Sequence, residues 1–293
     1  MNSSEIDLKP YLLETYKFAL TFFDKHNLRC YACGGTMLGA IRHKGFIPWD
    51  DDIDVYMPRA DYDRLISLKD EFCGTGYRFI SVQTDKDYYC PFAKIIKTDT
   101  TIQEFKKYSF PIGIFIDIFP LDYFDEEDKE ITKLQYKFSK LFINYQKALQ
   151  SYTFSDYRID LFSGRFKNVV KHLYFLLFFK TRKERLFKKY IDAYNQIGHD
   201  ENKEKCVCLT QWEGRIFKHE WFDNCIDVPF EDLYIKVPSK YDEYLRLLYG
   251  DYMKYPPLEK RCGDHNHYYV NLSENLSVNE INIRISNGEN RKG

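Results

Sequence analysis

The chain has 293 residues, with 44 acidic against 43 basic side chains and a formal net charge of −1 at pH 7. A chain of this length can bury most of its apolar surface, so folding requires neither disulfides nor a structural metal. The balanced charge argues against a nucleic-acid-binding protein. The N-terminus has no basic-then-apolar leader and the eight cysteines form no dense framework, so we expect no signal peptide and a cytoplasmic location.

The first 125 residues predict a mixed α/β core. Pro10 to His26 has the apolar spacing of an amphipathic helix. The double glycine Gly34-Gly35 precedes a short helix at 37–43, which we expect Thr36 to cap. Asp61 is a candidate cap for the next helix. Strands are predicted at 52–57, 77–83, 90–97 and 112–122.

From residue 126 onward the pattern becomes mainly helical. Helical spacing covers 126–150, 167–197 and 241–250, with two short apolar runs before the last of these. We therefore predict an α+β fold. A catalytic core at 1–125 is followed by a mainly helical region at 126–270, which completes the active site, and by a loosely held polar tail at 271–293.

The segment 169–189 combines an apolar stretch with a basic cluster. Its apolar run, 172–179, is far shorter than the ~20 residues that a membrane span requires. Lys180, Arg182, Lys183 and further basic residues follow at once. This pattern fits a helix lying on an anionic membrane surface, and it fits a core helix with a solvated basic end equally well.

Four carboxylates within five positions, 50–54, are the strongest functional signal. If 52–57 is a strand, Asp52 and Asp54 point to the same face, because side chains alternate along a strand. Two such carboxylates stay ionised together when a cation lies between them, and hard oxygen ligands favour Mg²⁺ or Mn²⁺. The alternative is a solvated acidic turn, which the apolar frame of Ile53 and Val55 disfavours.

A third acid and the double glycine extend this pattern. Asp117 lies inside an apolar strand, where a carboxylate is costly to bury without a partner. The alternative is an Asp bonded to the backbone or to an Arg. Gly34 and Gly35 let a phosphate approach the backbone at a helix N-terminus. A glycine turn, a helix, a D-x-D strand and a later strand Asp together indicate a nucleotidyltransferase-like fold.

Three separated stretches carry a resemblance to a known family. Residues 34–65 closely resemble the LicD family of phosphotransferases, whose relatives include fukutin and the fukutin-related protein, and 113–122 and 220–265 resemble its later motifs. The resemblance implies transfer of a phospho-alcohol, typically phosphocholine from CDP-choline, to a hydroxyl of a surface glycan with release of CMP. It implies acceptors such as teichoic acid, lipopolysaccharide or capsular precursors at the inner face of a bacterial cytoplasmic membrane.

With that donor, the metal ligands would be Asp52, Asp54 and Asp117, with Asp51 as a weaker candidate. Asp117 would hold a second metal or accept the acceptor's proton. The resemblance also implies that Arg261 contacts the donor phosphate and that His265 is catalytic or binds phosphate.

Three more residues are candidates for binding the donor. Arg42 could clamp a phosphate or lie on the surface. Lys94 could pair with a phosphate or carboxylate, or lie on an edge strand. Trp49 could stack on a base or a quaternary ammonium, or serve packing. With Gly34, Gly35 and Thr36, these residues make up the predicted donor site.

Other activities remain open at this stage. The same chemistry could use CDP-glycerol, CDP-ribitol or CDP-ethanolamine. A chain of this fold could also be a non-catalytic nucleotide-binding partner in a glycan assembly complex, which the intact acid set disfavours. A plain nucleotidyltransferase would release pyrophosphate instead of CMP.

Overall fold

A mixed seven-stranded sheet forms the centre of the molecule. The computed structural model describes residues 6–150, 170, 173–174, 177–211, 214–261 and 267–288. The strands are β1 (Tyr31–Ala32), β2 (Asp54–Pro58), β3 (Tyr77–Ile80), β4 (Ala93–Lys97), β5 (Thr101–Gln103), β6 (Phe115–Phe124), β7 (Lys205–Val207), β8 (Phe217–Lys218), β9 (Cys225–Phe230), β10 (Leu233–Pro238) and β11 (Tyr269–Asn271).

The order of the main sheet is β1-β2-β6-β4-β3, with β7 paired to β6 and β8 paired to β7. Strands β2 and β6 run parallel, and the other pairs are antiparallel. Strand β6 is buried along almost its whole length, as expected for a central strand covered on both faces. The sheet therefore places two acid-bearing strands, β2 and β6, side by side in its middle.

Seven α-helices surround the strands in the described part of the chain. They are α1 (Lys9–Lys25), α2 (Gly34–His43), α3 (Arg59–Ser67), α4 (Asp128–Leu149), α5 (Lys183–Tyr194), α6 (Tyr241–Tyr249) and α7 (Val278–Ser286). Short 3₁₀ turns lie at Lys69–Phe72, Lys180–Arg182, His219–Trp221 and Leu258–Lys260. Within the described ranges, no helix combines the length and the apolar character that crossing a bilayer requires.

The α+β fold predicted from the sequence is confirmed, but both predicted helix caps are wrong. Helix α2 begins at Gly34, so Thr36 lies inside it, where its hydroxyl accepts a hydrogen bond from the Asp54 N–H at 2.8 Å. Asp61 lies inside α3 and accepts a hydrogen bond from Arg29 Nε at 2.6 Å. Each of these two side chains therefore bonds to a residue distant in the sequence instead of capping its own helix.

The chain beyond residue 125 also contributes strands. Strands β7 and β8 extend the main sheet, and β9 and β10 form an antiparallel hairpin. Helices α4 and α5 fall where helical spacing was predicted, in 126–150 and 167–197. Residues on both sides of position 125 therefore share one sheet and one hydrophobic core.

The prediction of a loosely held tail is wrong for residues 271–288. Strand β11 pairs with β5, and Thr101 links the two segments by donating to the Glu274 carbonyl and accepting from the Leu276 N–H. Ser277 and Glu280 form a capping box at the start of α7, which buries Ile281 completely. Although the composition of this segment is polar, it contains a short amphipathic helix.

Candidate functional site

Two carboxylates meet at the junction of β2 and β6. Asp54 is the first residue of β2 and stands opposite Asp117 of β6 in the parallel register. Strand β2 begins at Asp54 rather than at the predicted residue 52. Asp52 and Asp54 nevertheless line the same cleft, and Ile53 between them is fully buried, as the predicted alternation requires. The Oδ1 atom of Asp54 is buried and has no hydrogen-bond partner among the described residues. An unpartnered buried carboxylate oxygen is costly unless a ligand satisfies it.

The electrostatics of this junction disfavour three bare negative charges. Burial raises the pKa of Asp54 well above its ordinary value, and repulsion from Asp52 and Asp117 raises it further. Burial also raises the pKa of Asp117 to about 7, although Lys94 lowers it. A divalent cation beside these groups would restore their ionised forms.

Lys94 is a buried counter-charge rather than a surface contact. Its ammonium lies 2.6 Å from Asp117 Oδ1 and 3.9 Å from Glu104 Oε1, and Glu104 accepts a hydrogen bond from the Tyr89 hydroxyl. Burial lowers the pKa of Lys94, but Asp117 and Glu104 raise it by more, so the group stays protonated. With only 1% of its side chain exposed, Lys94 acts through Asp117 and does not line the cleft.

The double glycine brings the start of α2 against the acids. Gly34 has φ +53°, a left-handed conformation that favours glycine, and its N–H donates to the Tyr244 hydroxyl at 3.1 Å. A Cβ added to Gly35 would lie 2.5 Å from Asp50 Oδ2. The left-handed backbone favours glycine at position 34, and the missing side chain at Gly35 lets α2 approach the Asp50 carboxylate closely.

A cleft of about 940 Å³ opens in front of Asp52 and Asp54. This volume is within the range of small-molecule sites. A smaller cavity of about 360 Å³ between α4 and α5 is lined by none of the predicted site residues. The large cleft is lined by Gly35, Leu38, Arg42, Ile47, Trp49, Asp50, Asp52, Asp54, Tyr249, Asp251, Tyr252, Lys254, Tyr255, Pro256, Pro257, Lys260 and Arg261.

In the part of the cleft formed by 249–261 and Arg42, two guanidinium groups lie against aromatic rings. The Arg42 and Arg261 guanidinium carbons lie 4.9 and 5.2 Å from the Tyr255 ring centre, and Arg261 also lies 5.6 Å from that of Trp49. The Tyr252 carbonyl accepts from Arg42 at 2.7 Å. Burial and, to a lesser degree, Arg261 lower the pKa of Arg42. Two like charges held together are suited to an anion.

The structure brings most of the predicted donor site together. Asp52, Asp54, Gly35, Arg42, Trp49 and Arg261 all line the cleft, and Gly34 lies behind Asp54. Asp51, Thr36, Lys94 and Asp117 do not line it. His265 lies outside the described residues.

The sequence reasoning missed several cleft residues. Asp50, Tyr249, Tyr252 and Tyr255 line the cleft but are not among the predicted site residues. The tyrosines' regular spacing of three positions, in a segment with two prolines and several basic residues, was the available signal.

The residues present fit a Mg²⁺ ion held jointly with a donor. Among the described residues, no group of three or more His, Cys, Asp or Glu side chains is arranged to hold a metal. Mg²⁺ commonly takes one or two carboxylates together with waters and substrate phosphates, rather than an all-protein cage. Asp52 and Asp54, with the unpartnered Oδ1, supply such a pair.

Two neighbouring strands carry acids, a helix begins at a double glycine, and one cleft is lined by both acidic and basic residues. These features define a nucleotidyltransferase-type domain suited to phosphate transfer. The family model described as LicD/FKTN/FKRP, nucleotidyltransferase domain, matches residues 27–161. The chain is also 31% identical over 239 residues to the lipopolysaccharide cholinephosphotransferase LicD of Haemophilus influenzae, covering 79% of this chain and 84% of that protein. The chain therefore belongs to the LicD family and is an enzyme of the transferase class, as predicted.

Shorter similarities involve two uncharacterized proteins. One from Rickettsia typhi is 32% identical over 117 residues, which is 40% of this chain and 36% of that protein. One from Rickettsia prowazekii is 40% identical over 53 residues, covering 18% of this chain and 20% of that protein.

Proposed function

We propose that this enzyme transfers phosphocholine from CDP-choline to a hydroxyl of a cell-surface glycan or glycolipid precursor, with Mg²⁺ or Mn²⁺, and releases CMP. One observation carries the proposal: Asp54, with its unpartnered Oδ1, and Asp52 line the same cleft as Arg42 and Arg261. A diphosphate with a bound metal complements both the acidic and the basic residues. The choline and lipopolysaccharide named for the Haemophilus influenzae relative support the alcohol and the acceptor class.

The acidic and the basic residues of the cleft would have different roles in the reaction. Asp52 and Asp54 would hold the metal, which when bound would neutralise the diphosphate and align it for in-line attack. Arg42 and Arg261 would bind phosphate oxygens and orient the donor. The acceptor oxygen forms a bond to the choline-bearing phosphorus, and the bond from that phosphorus to the bridging oxygen breaks, so that CMP leaves with the electron pair.

The acceptor's proton requires a base, and Asp117 fits that role better than the role of a second metal ligand. Lys94 already takes Asp117 Oδ1 at 2.6 Å, which leaves one carboxylate oxygen for other partners. Asp117 does not line the cleft, but its direct neighbour across the sheet is Asp54, which does, so the acceptor's proton would reach Asp117 through one bridging water. Lys94 would hold Asp117 in this position.

The identity of the alcohol is the finer part of the proposal. CDP-glycerol, CDP-ribitol and CDP-ethanolamine present the same diphosphate to the same residues. Trp49 and Tyr255 already lie against guanidinium groups, so this ring pair does not form an empty cage for a quaternary ammonium. The preference for choline therefore rests on the relative, and the acidic and basic residues of the cleft support the diphosphate.

Binding of a panel of CDP-alcohols, with and without Mg²⁺, tests the proposal directly. We expect metal-dependent binding of CDP-choline to the wild type, and its loss in Asp52→Asn/Asp54→Asn. Asp232→Asn, at an exposed turn after β9, is the control and should bind like the wild type. Tight binding of a polyol donor instead would change the assigned alcohol.

Product analysis separates the remaining classes of function. Release of CMP supports phospho-alcohol transfer, and release of pyrophosphate from a nucleoside triphosphate would indicate a nucleotidyltransferase. Metal-dependent binding without turnover of any acceptor would indicate a non-catalytic nucleotide-binding partner.

The proposed place of action is the inner face of the cytoplasmic membrane, with peripheral contact through 169–189. Leu173, Leu177 and Phe178 in the described part of this segment are exposed, and the Arg182 guanidinium carbon lies 4.2 Å from the Phe178 ring centre. Exposed apolar side chains next to basic ones suit the surface of an anionic bilayer.

A further inference from the structure

Large apolar side chains are exposed at the mouth of the catalytic cleft. Leu258 is 75% exposed, Met253 54% and Tyr255 47%, and Leu247 and Tyr249 nearby are also exposed. These five residues are called the rim patch here. Exposed large apolar residues are ordinary when scattered, but a group of them along one short segment marks a surface for a partner or a membrane.

Basic residues are interleaved with the rim patch. Lys254 and Lys260 are exposed and Arg261 is half-buried, and all three line the cleft. Residues 246–261 carry four basic side chains, of which Arg246 is paired with Asp242, against two acidic ones, Asp251 and Glu259. Long basic side chains can bury their carbon stems along an apolar surface while their charges reach outward to anionic groups. The chemistry of this face is therefore both apolar and cationic.

The rim patch is held in a defined shape. Arg42 donates to the Tyr252 carbonyl, the Tyr252 hydroxyl donates to Asp242 at 2.8 Å, and Arg261 Nε donates to the Pro256 carbonyl at 2.8 Å. The 3₁₀ turn Leu258–Lys260 presents Leu258 outward from this frame. The exposed side chains are therefore displayed by a fixed backbone.

The rim patch is continuous with the catalytic cleft. Tyr249 and Tyr255 belong to both, and Asp52 and Asp54 line the same cleft. A surface on which the rim patch rested would therefore face the cleft mouth. An acceptor carried by that surface would meet the metal-binding acids without leaving it.

The geometry points to the rim patch as the face that docks on an anionic lipid surface and presents the cleft to an acceptor anchored there. The nature of that acceptor rests on the proposed function, but binding to lipid does not require turnover. A second copy of the chain is a poorer occupant, because a two-fold contact would bring the same basic residues of both copies together. Acidic lipid headgroups complement these residues.

Vesicle co-sedimentation of the purified full chain tests this inference. The probes are vesicles of phosphatidylcholine with one-fifth phosphatidylglycerol, and vesicles of phosphatidylcholine alone. We expect the wild type to bind the anionic vesicles, and Met253→Ser/Leu258→Ser to bind them about tenfold more weakly, since two apolar side chains no longer insert. Lys254→Gln/Lys260→Gln should lose binding to the anionic vesicles more than to the neutral ones.

Matched variants keep the test specific. Tyr234→Ser removes a side chain that is 73% exposed on β10 and does not line the cleft, so it should bind like the wild type. Leu177→Ser/Phe178→Ser measures the contribution of 169–189 separately. The inference is overturned if Met253→Ser/Leu258→Ser binds as tightly as the wild type. It is also overturned if the wild type binds neither vesicle, or if it is a dimer that this double variant dissociates.

Activity distinguishes this inference from the proposed function. Met253 and Leu258 do not line the cleft, so Met253→Ser/Leu258→Ser should keep the wild-type rate on a soluble glycan acceptor while losing rate on an acceptor embedded in vesicles. Equal rates on both acceptors in this variant would count against the lipid-docking role. A wild type that binds vesicles but transfers no phospho-alcohol would instead reject the proposed function and leave the rim patch assignment standing.

Discussion

Replacing Lys94 by Met is the most informative perturbation of the buried part of the site. The variant removes a fully buried ammonium that lies 2.6 Å from Asp117 Oδ1 and 3.3 Å from the centre of the Phe115 ring. Breaking a buried ion pair by deleting one partner leaves an uncompensated charge, which costs about 3–5 kcal/mol. We expect a loss of this size in the free energy of unfolding, measured by urea denaturation at pH 8.5.

The pH dependence of this loss identifies Asp117 as its origin. The pKa of Asp117 is about 7 with Lys94 present, and without Lys94 burial raises that pKa further. Above pH 7 the folded variant keeps a proton that the folded wild type and both unfolded chains have lost. The variant therefore loses more stability as pH rises, so the difference should be larger at pH 8.5 than at pH 6.

Two further variants complete the test. Lys97→Met, on the same strand but paired with the exposed Glu14, should cost less than about 1 kcal/mol. Lys94→Met/Asp117→Asn should be more stable than Lys94→Met at pH 8.5, because the amide carries no charge and does not have to take up a proton on folding. The reasoning is refuted if the double variant is no more stable than Lys94→Met, or if the cost of Lys94→Met is the same at pH 6 and pH 8.5.

Other predictions concern the metal-binding acids and the glycine turn. Asp54→Asn should raise the free energy of unfolding, measured without metal, by about 1 kcal/mol, since an unpartnered buried carboxylate is removed. The same variant should lower the rate of transfer about 100-fold. A destabilised or fully active variant contradicts this prediction. The Mg²⁺-induced rise in Tm should be larger at pH 8 than at pH 6. The pKa values of Asp54 and Asp117 are raised, so at lower pH these groups hold protons that compete with the metal. Equal rises in Tm at the two pH values, measured by differential scanning fluorimetry, would argue against metal binding at these acids. Gly34→Ala should cost about 1–2 kcal/mol in urea unfolding, because φ is +53°, and an unchanged midpoint would show that the turn relaxes freely.

Local patterns in the sequence predicted the helices, most strands and the acids of the site. Apolar spacing gave α1 and α4 within a residue or two, because one buried face imposes its period on the sequence. Strand β6 was recognisable because a central strand needs apolar residues on both faces, which made Asp117 conspicuous. The three motifs at 34–65, 113–122 and 220–265 together predicted the family, which the similarity to LicD proteins confirms.

Predictions failed where a residue's partner lies far along the chain. Thr36 and Asp61 were assigned to helix caps on local grounds, yet their partners are Asp54 and Arg29. The tail was judged by its polar composition, although pairing with β5 and burial of Ile281 hold it in place. Local propensity could not anticipate these contacts, since each depends on how distant strands are arranged.

The sequence by itself determined that this protein has a mixed sheet, paired acids at Asp52 and Asp54 and the LicD family's motifs. Only the tertiary structure decided that Lys94 is buried against Asp117 and that 249–261 lines the same cleft as acids some 200 positions earlier in the chain. The physical reason is that the hydrophobic periodicity and the residue types of a segment depend on how that segment packs against the core. A charge pair or a cleft instead depends on which segments the completed sheet brings together.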